Sequence, residues 1–256
     1  MTLDIVWLLQ VARSAGDAIL RIYEQPFEVE QKADASPLTQ ADTAANQIIV
    51  ENLSSRYPDI PYISEESKLT DYALRRHWHT YWLIDPLDGT KEFVKRNGEF
   101  TVNIALVREG VPVAGVVHVP VSNTTYYAMQ GEGSYRITQN GVAERIQVRP
   151  LASNEPMRIV ASRSHLNADT EQYIAAQQQR YGQVELVSSG SSLKFCLIAE
   201  GRAHAYPRFA PTMEWDTAAG HIIATEAGAT VSQYPSGSTL QYNKANLLNP
   251  YFLVSS

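Results

Sequence analysis

The densest chemistry in this chain lies at Trp82-Leu83-Ile84-Asp85-Pro86-Leu87-Asp88-Gly89-Thr90, where an apolar run ends in two carboxylates. Pro86 fixes its own φ and Gly89 permits a tight turn. Asp85 and Asp88 can then stand together at the C-terminal end of a strand, a common ligand-binding place in α/β proteins. Two more acids occupy similar positions. Glu65 follows the short run Tyr62-Ile63-Ser64, and Asp216 opens the helical segment Thr217-Ala218-Ala219-Gly220. Carboxylates that converge without Lys or Arg raise one another's pKa unless cations neutralise them. Hard, oxygen-seeking ions such as Mg²⁺ suit an all-carboxylate set. A single cysteine and scattered histidines argue against zinc. Taken one at a time, these acids have ordinary readings. A lone Asp-Pro pair is usually a turn, Asp216 could be only a helix N-cap, and Glu65-Glu66 could be a solvated loop.

A second polar stretch, Ser188-Ser189-Gly190-Ser191-Ser192-Leu193-Lys194, reads as an anion site. A strand ends, Gly190 and Ser191 open a helix, and unpaired amides point outward. Lys194 follows about one turn later; its ordinary reading is a solvated surface lysine. His165 could be a loop histidine without a role. Arg163 and Arg208 are further cationic candidates, and Lys91 and Glu92 either pair or rim the acidic site. Cys196, inside an apolar helical run, reads as core.

The elements that must position these residues follow from periodicity. Residues 3–24 carry Ile5, Leu8, Leu9, Ala12, Ala15, Ile19 and Ile22 at helical spacing. An extended loop over 26–37 precedes a second helix from about Thr39 to Arg56. Short strands run into Glu65 and Asp85. Residues 100–137, rich in Val, Thr and Tyr between turns, predict an antiparallel meander, and 138–156 reads as a boundary. From 157 the rhythm is strand–helix: helices over 168–180, 191–200 and 216–227 alternate with short apolar runs. The expected fold class is α/β, an α+β half over 1–150 with an antiparallel sheet and an α/β half over 151–256 that contributes Asp216.

Composition bounds the function. The 256 residues are 44% hydrophobic and 19% charged, with net charge −6. That is ordinary for a folded protein and offers no basic field for a nucleic-acid polymer. Bound cations can still draw a small anionic substrate. No run of 18 apolar residues predicts a transmembrane segment, and the N-terminus lacks a signal peptide's basic start and unbroken apolar run. One cysteine excludes an intrachain disulfide and fits a reducing, cytoplasmic setting.

At these residues the sequence resembles the lithium-sensitive, magnesium-dependent phosphatases of the inositol monophosphatase superfamily. "WLIDPLDGTKEF" at 82–93 and "WDTAAG" at 215–220 match that family's signatures, with "SEES" at 64–67 upstream. The motifs fall in family order over nearly the whole chain. "KADASPLTQAD" at 32–42, "SRSH" at 162–165, "GSSLKFCLIAEG" at 190–201 and "YPRF" at 206–209 resemble its bisphosphate-nucleotidase branch. The resemblance implies a layered αβαβα sugar-phosphatase-like fold and two or three Mg²⁺ ions. Glu65, Asp85, Asp88 and Asp216 would be carboxylate ligands, with the Leu87 carbonyl; Asp85 would bridge two ions. Thr90 and Asp42 would help orient or deprotonate the attacking water, with Glu65 counted among the catalytic residues. The amides of Gly89 and Thr90 would hold the phosphate. Ser162, His165, Gly190 and Lys194 would contact the nucleotide.

The implied reaction is hydrolysis of 3'-phosphoadenosine 5'-phosphate to AMP and phosphate, in the setting of sulfur assimilation, with the 5'-phosphosulfate analogue as a second substrate. An inositol or other sugar monophosphatase is the alternative within enzymes. A non-catalytic metal or nucleotide sensor should have lost a ligand or the threonine, and neither is lost. The resemblance adds peripheral association with the cytoplasmic face of a bacterial inner membrane, which nothing in the composition shows.

Overall fold

The computed structural model describes residues 3–25, 37–161 and 167–256. Helices α1 (Ile5–Tyr23) and α2 (Pro37–Arg56) pack side by side. Asp4 caps α1 by accepting from the Trp7 N–H at 3.0 Å. The helical spacing of Leu8, Ala12, Ala15 and Ile19 yields a fully buried face, closed by Ala45, Ile49 and Leu53 of α2.

The first sheet has seven strands in sequence order: β1 (Tyr62–Ser64), β2 (Thr80–Asp88), β3 (Thr101–Arg108), β4 (Val111–Val119), β5 (Thr124–Met129), β6 (Gly133–Ile137) and β7 (Ala143–Ile146). Short helices α3 (Tyr72–Arg75) and α4 (Thr90–Val94) interrupt it. β1 and β2 pair in parallel and the remaining neighbours are antiparallel. β7 corrects the expected boundary over 138–156. Its Ala-Glu-Arg-Ile is mostly exposed, so it lacks the alternation that marks a half-buried strand.

The second sheet comes from β8 (Met157–Ala161), β9 (Val184–Ser188), β10 (Ala205–Arg208), β11 (Thr230–Gln233) and β12 (Phe252–Ser255), ordered β11-β12-β10-β8-β9. β8 runs parallel to β9 and β10, while β12 is antiparallel to both its neighbours. Helix α5 (Ala168–Tyr181) covers its outer face through Tyr173, against Ile159 and Phe209. Helices α6 (Leu193–Ala199) and α7 (Glu214–Glu226) lie between the sheets. One core joins Tyr81, Leu83 and Val117 of the first sheet to Phe195, Ile223 and Val254. On the opposite face Trp82, Ile84 and Val116 meet α1 and α2. The layers therefore run α-β-α-β-α, as the resemblance implies. Cys196 is buried in the α6 core, as expected. No described helix is long and apolar enough to cross a membrane.

Placement of α7 depends on Gly115 of β4. A Cβ there would stand 2.6 Å from Ile222 Cγ2 and 2.8 Å from the Ala219 carbonyl oxygen. Gly115→Val should therefore push α7 off the sheet. Overpacking of this kind costs about 1–3 kcal/mol. In a chain of this size that is roughly a 2–12 °C fall in Tm. An unchanged melting curve would show that α7 approaches less closely.

Candidate functional site

Strand register brings the acids together. β1 and β2 pair Ser64 with Ile84, so the next residues, Glu65 and Asp85, leave the two strand ends side by side. The Glu65 N–H donates to the Ile84 carbonyl at 3.2 Å. β2 continues past Asp85 to Asp88 with an irregularity between them against β3. Asp85 is 1% exposed, and its Oδ1 accepts from the Leu87 N–H at 3.1 Å. α7 delivers Asp216 from the other half of the chain. Carboxylate oxygens of Glu65, Asp85 and Asp216 all lie within 4.8 Å of one another.

α7 begins at Glu214, not at Asp216. Asp216 is therefore not the N-cap, which is Met213, but the third residue of the helix. Its Oδ2 accepts from the Met213 N–H at 2.9 Å, bracing the first turn, while the carboxylate also faces the cluster. Placing a negative charge in that turn agrees with the helix dipole.

Glu65, Asp85 and Asp216 are pushed toward their protonated forms. Asp85 is raised well above the usual range, by burial first and then by Asp88, Asp216, Glu65 and Asp42. Burial and Asp88 raise Asp216 to about 7, against the Met213 amide. Glu65 keeps one flank open to solvent, yet burial, Asp88 and Glu66 raise it too. Mutual repulsion was the expected cause; burial is the larger one. Carboxylates facing one another in this way offer the oxygen donors that a hard divalent cation takes.

Asp88 is held differently. Its Oδ2 accepts from Ser192 Oγ at 2.8 Å and from Asn103 Nδ2 at 3.3 Å. Neither partner is evident from the motifs. The available signal is an asparagine in the middle of the apolar run Phe100-Thr101-Val102-Asn103-Ile104.

Thr90 is exposed at the start of α4 and follows Gly89, whose φ of 96° only glycine adopts readily. Asp42 lies on α2, which packs on β2 and touches α4. It is buried, and its Oδ1 has no hydrogen-bond partner among the described residues. Burial, Glu66 and Glu65 raise it to about 8.

Glu65, Asp85, Asp88, Gly89, Thr90 and Asp216 open on a cavity of about 440 Å³ lined also by Leu87, Lys91, Glu92, Gly190, Lys194 and Arg208, and Asp42 lies outside that lining. Here the structure corrects three expectations. The helix over 191–200 is shorter, starting at Leu193. The Gly190 amide is not unpaired, because it donates to Glu99 Oε2 at 2.9 Å. Lys194 is not a solvated surface lysine: it is 7% exposed, its Nζ donates to the Ser191 carbonyl at 2.6 Å, and it lies 5.7 Å from the centre of the Tyr206 ring. Burial lowers Lys194 to about 8, against the pull of Asp88 and with a push from Arg208. Arg208 donates to the Pro211 carbonyl at 2.9 Å. Ser162, His165 and Arg163 lie outside the described residues.

Two sheets enclosing a helix layer, with a carboxylate cluster where both halves of the chain meet, define a layered α/β fold built around a cation-ready site. The chain belongs to the inositol monophosphatase family, whose profile matches residues 5–253. This is a metal-dependent phosphatase family, and the acidic cluster suits a metal. The chain is 50% identical over 249 residues to the 3'(2'),5'-bisphosphate nucleotidase CysQ of Salmonella typhimurium, covering 96% of this chain and 97% of that protein. It is 49% identical to the CysQ of Escherichia coli K12 over the same shares. The crystal structure of CysQ from Bacteroides thetaiotaomicron superposes with a TM-score of 0.88 at 51% identity, covering 96% of this chain and 94% of that one.

Proposed function

We propose that this protein is a 3'(2'),5'-bisphosphate nucleotidase that removes the 3'-phosphate of 3'-phosphoadenosine 5'-phosphate, giving AMP and phosphate. The 5'-phosphosulfate analogue would be a second substrate of the same site. One observation carries the reading. A single cavity holds the carboxylate cluster and, besides Lys91, two further cations, Lys194 and Arg208. Neither cation has a carboxylate within ion-pair distance among the described residues. A substrate with one phosphate for the cluster and a second anionic group for the cations satisfies both. The names of relatives at about half identity support the same reaction.

Glu65, Asp85, Asp88 and Asp216, with the Leu87 carbonyl, would hold two or three Mg²⁺ ions. When bound, such ions neutralise the monoester, acidify a water and stabilise the leaving oxygen. Thr90 would accept a hydrogen bond from the attacking water and pass its own hydroxyl proton toward Asp42. A buried Oδ1 without a hydrogen-bond partner among the described residues gives Asp42 an open acceptor for that role. Gly89 and Thr90 would give backbone amides to the reacting phosphate. Ser162, His165, Gly190 and Lys194 would contact the nucleotide. Gly190 would do so without its amide, which already serves Glu99.

The deciding assay compares kcat/KM for 3'-phosphoadenosine 5'-phosphate, adenosine 3'-monophosphate and inositol 1-phosphate at saturating Mg²⁺. The bisphosphate should be preferred. Equal or better turnover of inositol phosphate would replace the reading with a sugar monophosphatase, and no turnover of any of them would leave a sensor. Lithium should inhibit, because a monovalent ion can take a cation position without supplying its charge. A LiCl titration matching a NaCl control at equal ionic strength would remove this expectation.

A further inference from the structure

We infer that Ser192, braced by Asn103, is a positioning residue that sets the carboxylate of Asp88. The inference rests on the proposed role of Asp88 as a metal ligand. The serine hydroxyl is buried, with Asp88 Oδ2 at 2.8 Å and the Asp216 carbonyl oxygen at 2.7 Å. Asn103 Nδ2 donates to the same hydroxyl at 2.9 Å and reaches Asp88 Oδ2 at 3.3 Å. Asn103 is itself fixed, because its Oδ1 accepts from Thr101 Oγ1 at 3.0 Å.

Four separate parts of the chain therefore meet at one hydroxyl: β2 through Asp88, β3 through Asn103, the segment before α6 through Ser192, and α7 through Asp216. With a proton to give and two acceptors in reach, the hydroxyl favours the charged one, since hydrogen bonds to carboxylates are the stronger. The nitrogen of Asn103 occupies a lone pair and leaves the serine proton for the acceptors. Oδ2 of Asp88 is thereby turned toward Ser192 and Asn103, and neither bond engages the other oxygen. Partners that orient a ligand in this way typically govern affinity by about ten- to a hundredfold.

The test is Mg²⁺ binding by calorimetry on the full chain, with activity and Tm alongside. Ser192→Ala should raise the Mg²⁺ Kd by about ten- to a hundredfold. The KM for 3'-phosphoadenosine 5'-phosphate at saturating Mg²⁺ should stay close to the parent value. Ser192→Thr, which keeps the hydroxyl, should restore most of the affinity. Asn103→Ala should shift Kd in the same direction, and the double variant should lose less than the product of the two single losses. A lower Tm with unchanged Mg²⁺ Kd in both Ser192→Ala and Asn103→Ala would overturn the inference and leave these residues a structural role only. Asp88→Asn separates the premises. If it weakens Mg²⁺ binding and Ser192→Ala does not, the inference fails alone. If it leaves the Kd unchanged, the metal role of Asp88 fails, and the inference with it.

Discussion

Asp85→Asn is expected to lower kcat more than any other single substitution in the cluster. Asp85 is buried and feels the charge of Asp88, Asp216, Glu65 and Asp42, so it lies at the electrostatic centre of the site. Losing its charge should cost several kcal/mol of transition-state stabilisation, about a thousandfold in rate. Asp216→Asn should cost less, because Asp85 would serve two ions and Asp216 one. Comparable kcat losses in the two variants would sink this ranking. Exhaustive EDTA treatment should abolish activity and Mg²⁺ should restore it; activity that survives chelation would overturn the mechanism.

The same residues set the behaviour of the metal-free protein. Asp216 is raised from 3.8 to about 7, and Asp42 from 3.8 to about 8. Between those limits the folded state holds more protons than the unfolded chain. Metal-free stability is therefore greatest at low pH in this respect and falls as pH rises from about 4 toward 8. Asp85→Asn resembles the protonated acid, so it should leave the metal-free protein at least as stable while destroying activity. Mg²⁺ binding must displace protons, so its affinity should tighten between pH 6 and 8, with protons released to the buffer in calorimetry. A metal-free Tm that is flat across this range would contradict the raised carboxyls.

Lys194 carries the second large effect. Its ammonium is buried without a carboxylate partner, an arrangement that costs stability unless an anion arrives. Lys194→Met should therefore raise Tm in the absence of ligand, by roughly 2–8 °C if about 1–2 kcal/mol is recovered. It should also lower kcat/KM for the bisphosphate by about ten- to a hundredfold, the worth of a charged hydrogen bond. Adenosine 3'-monophosphate should be nearly unaffected, because the acidic cluster is untouched. Equal losses on both substrates would show that Lys194 supports the catalytic centre, and no loss on either would move the second anion to Arg208. Because burial lowers Lys194 to about 8, its charge fades above that pH. The kcat/KM for the bisphosphate should then fall with rising pH more steeply than that for the monophosphate.

Much of this site is written locally. The carboxylates of Asp85 and Asp88 follow an apolar strand and precede a glycine whose φ of 96° makes the turn into Thr90, and those features are a matter of neighbouring residues. Helical and alternating periodicity likewise show in α1, in the meander and in the alternation after residue 157, because each buries a face whose spacing is local. β7 escaped because an exposed edge strand has no face to bury.

Tertiary structure decided what depends on neighbours remote in sequence. Parallel register places Glu65 beside Asp85, and α7, seated on Gly115 between the sheets, brings in Asp216. Asn103 and Ser192 meet at Asp88 across 89 residues of chain. The Gly190 amide is claimed by Glu99, 91 residues away. Lys194 reads from the sequence as an anion contact or a solvated lysine, and its burial appears only when the sheet carrying Tyr206 packs beside it. Residue types and short spacings determine which groups can ionise, turn or coordinate. Burial and partnership, which set their pKa values and free valences, arise only when distant strands and helices pack.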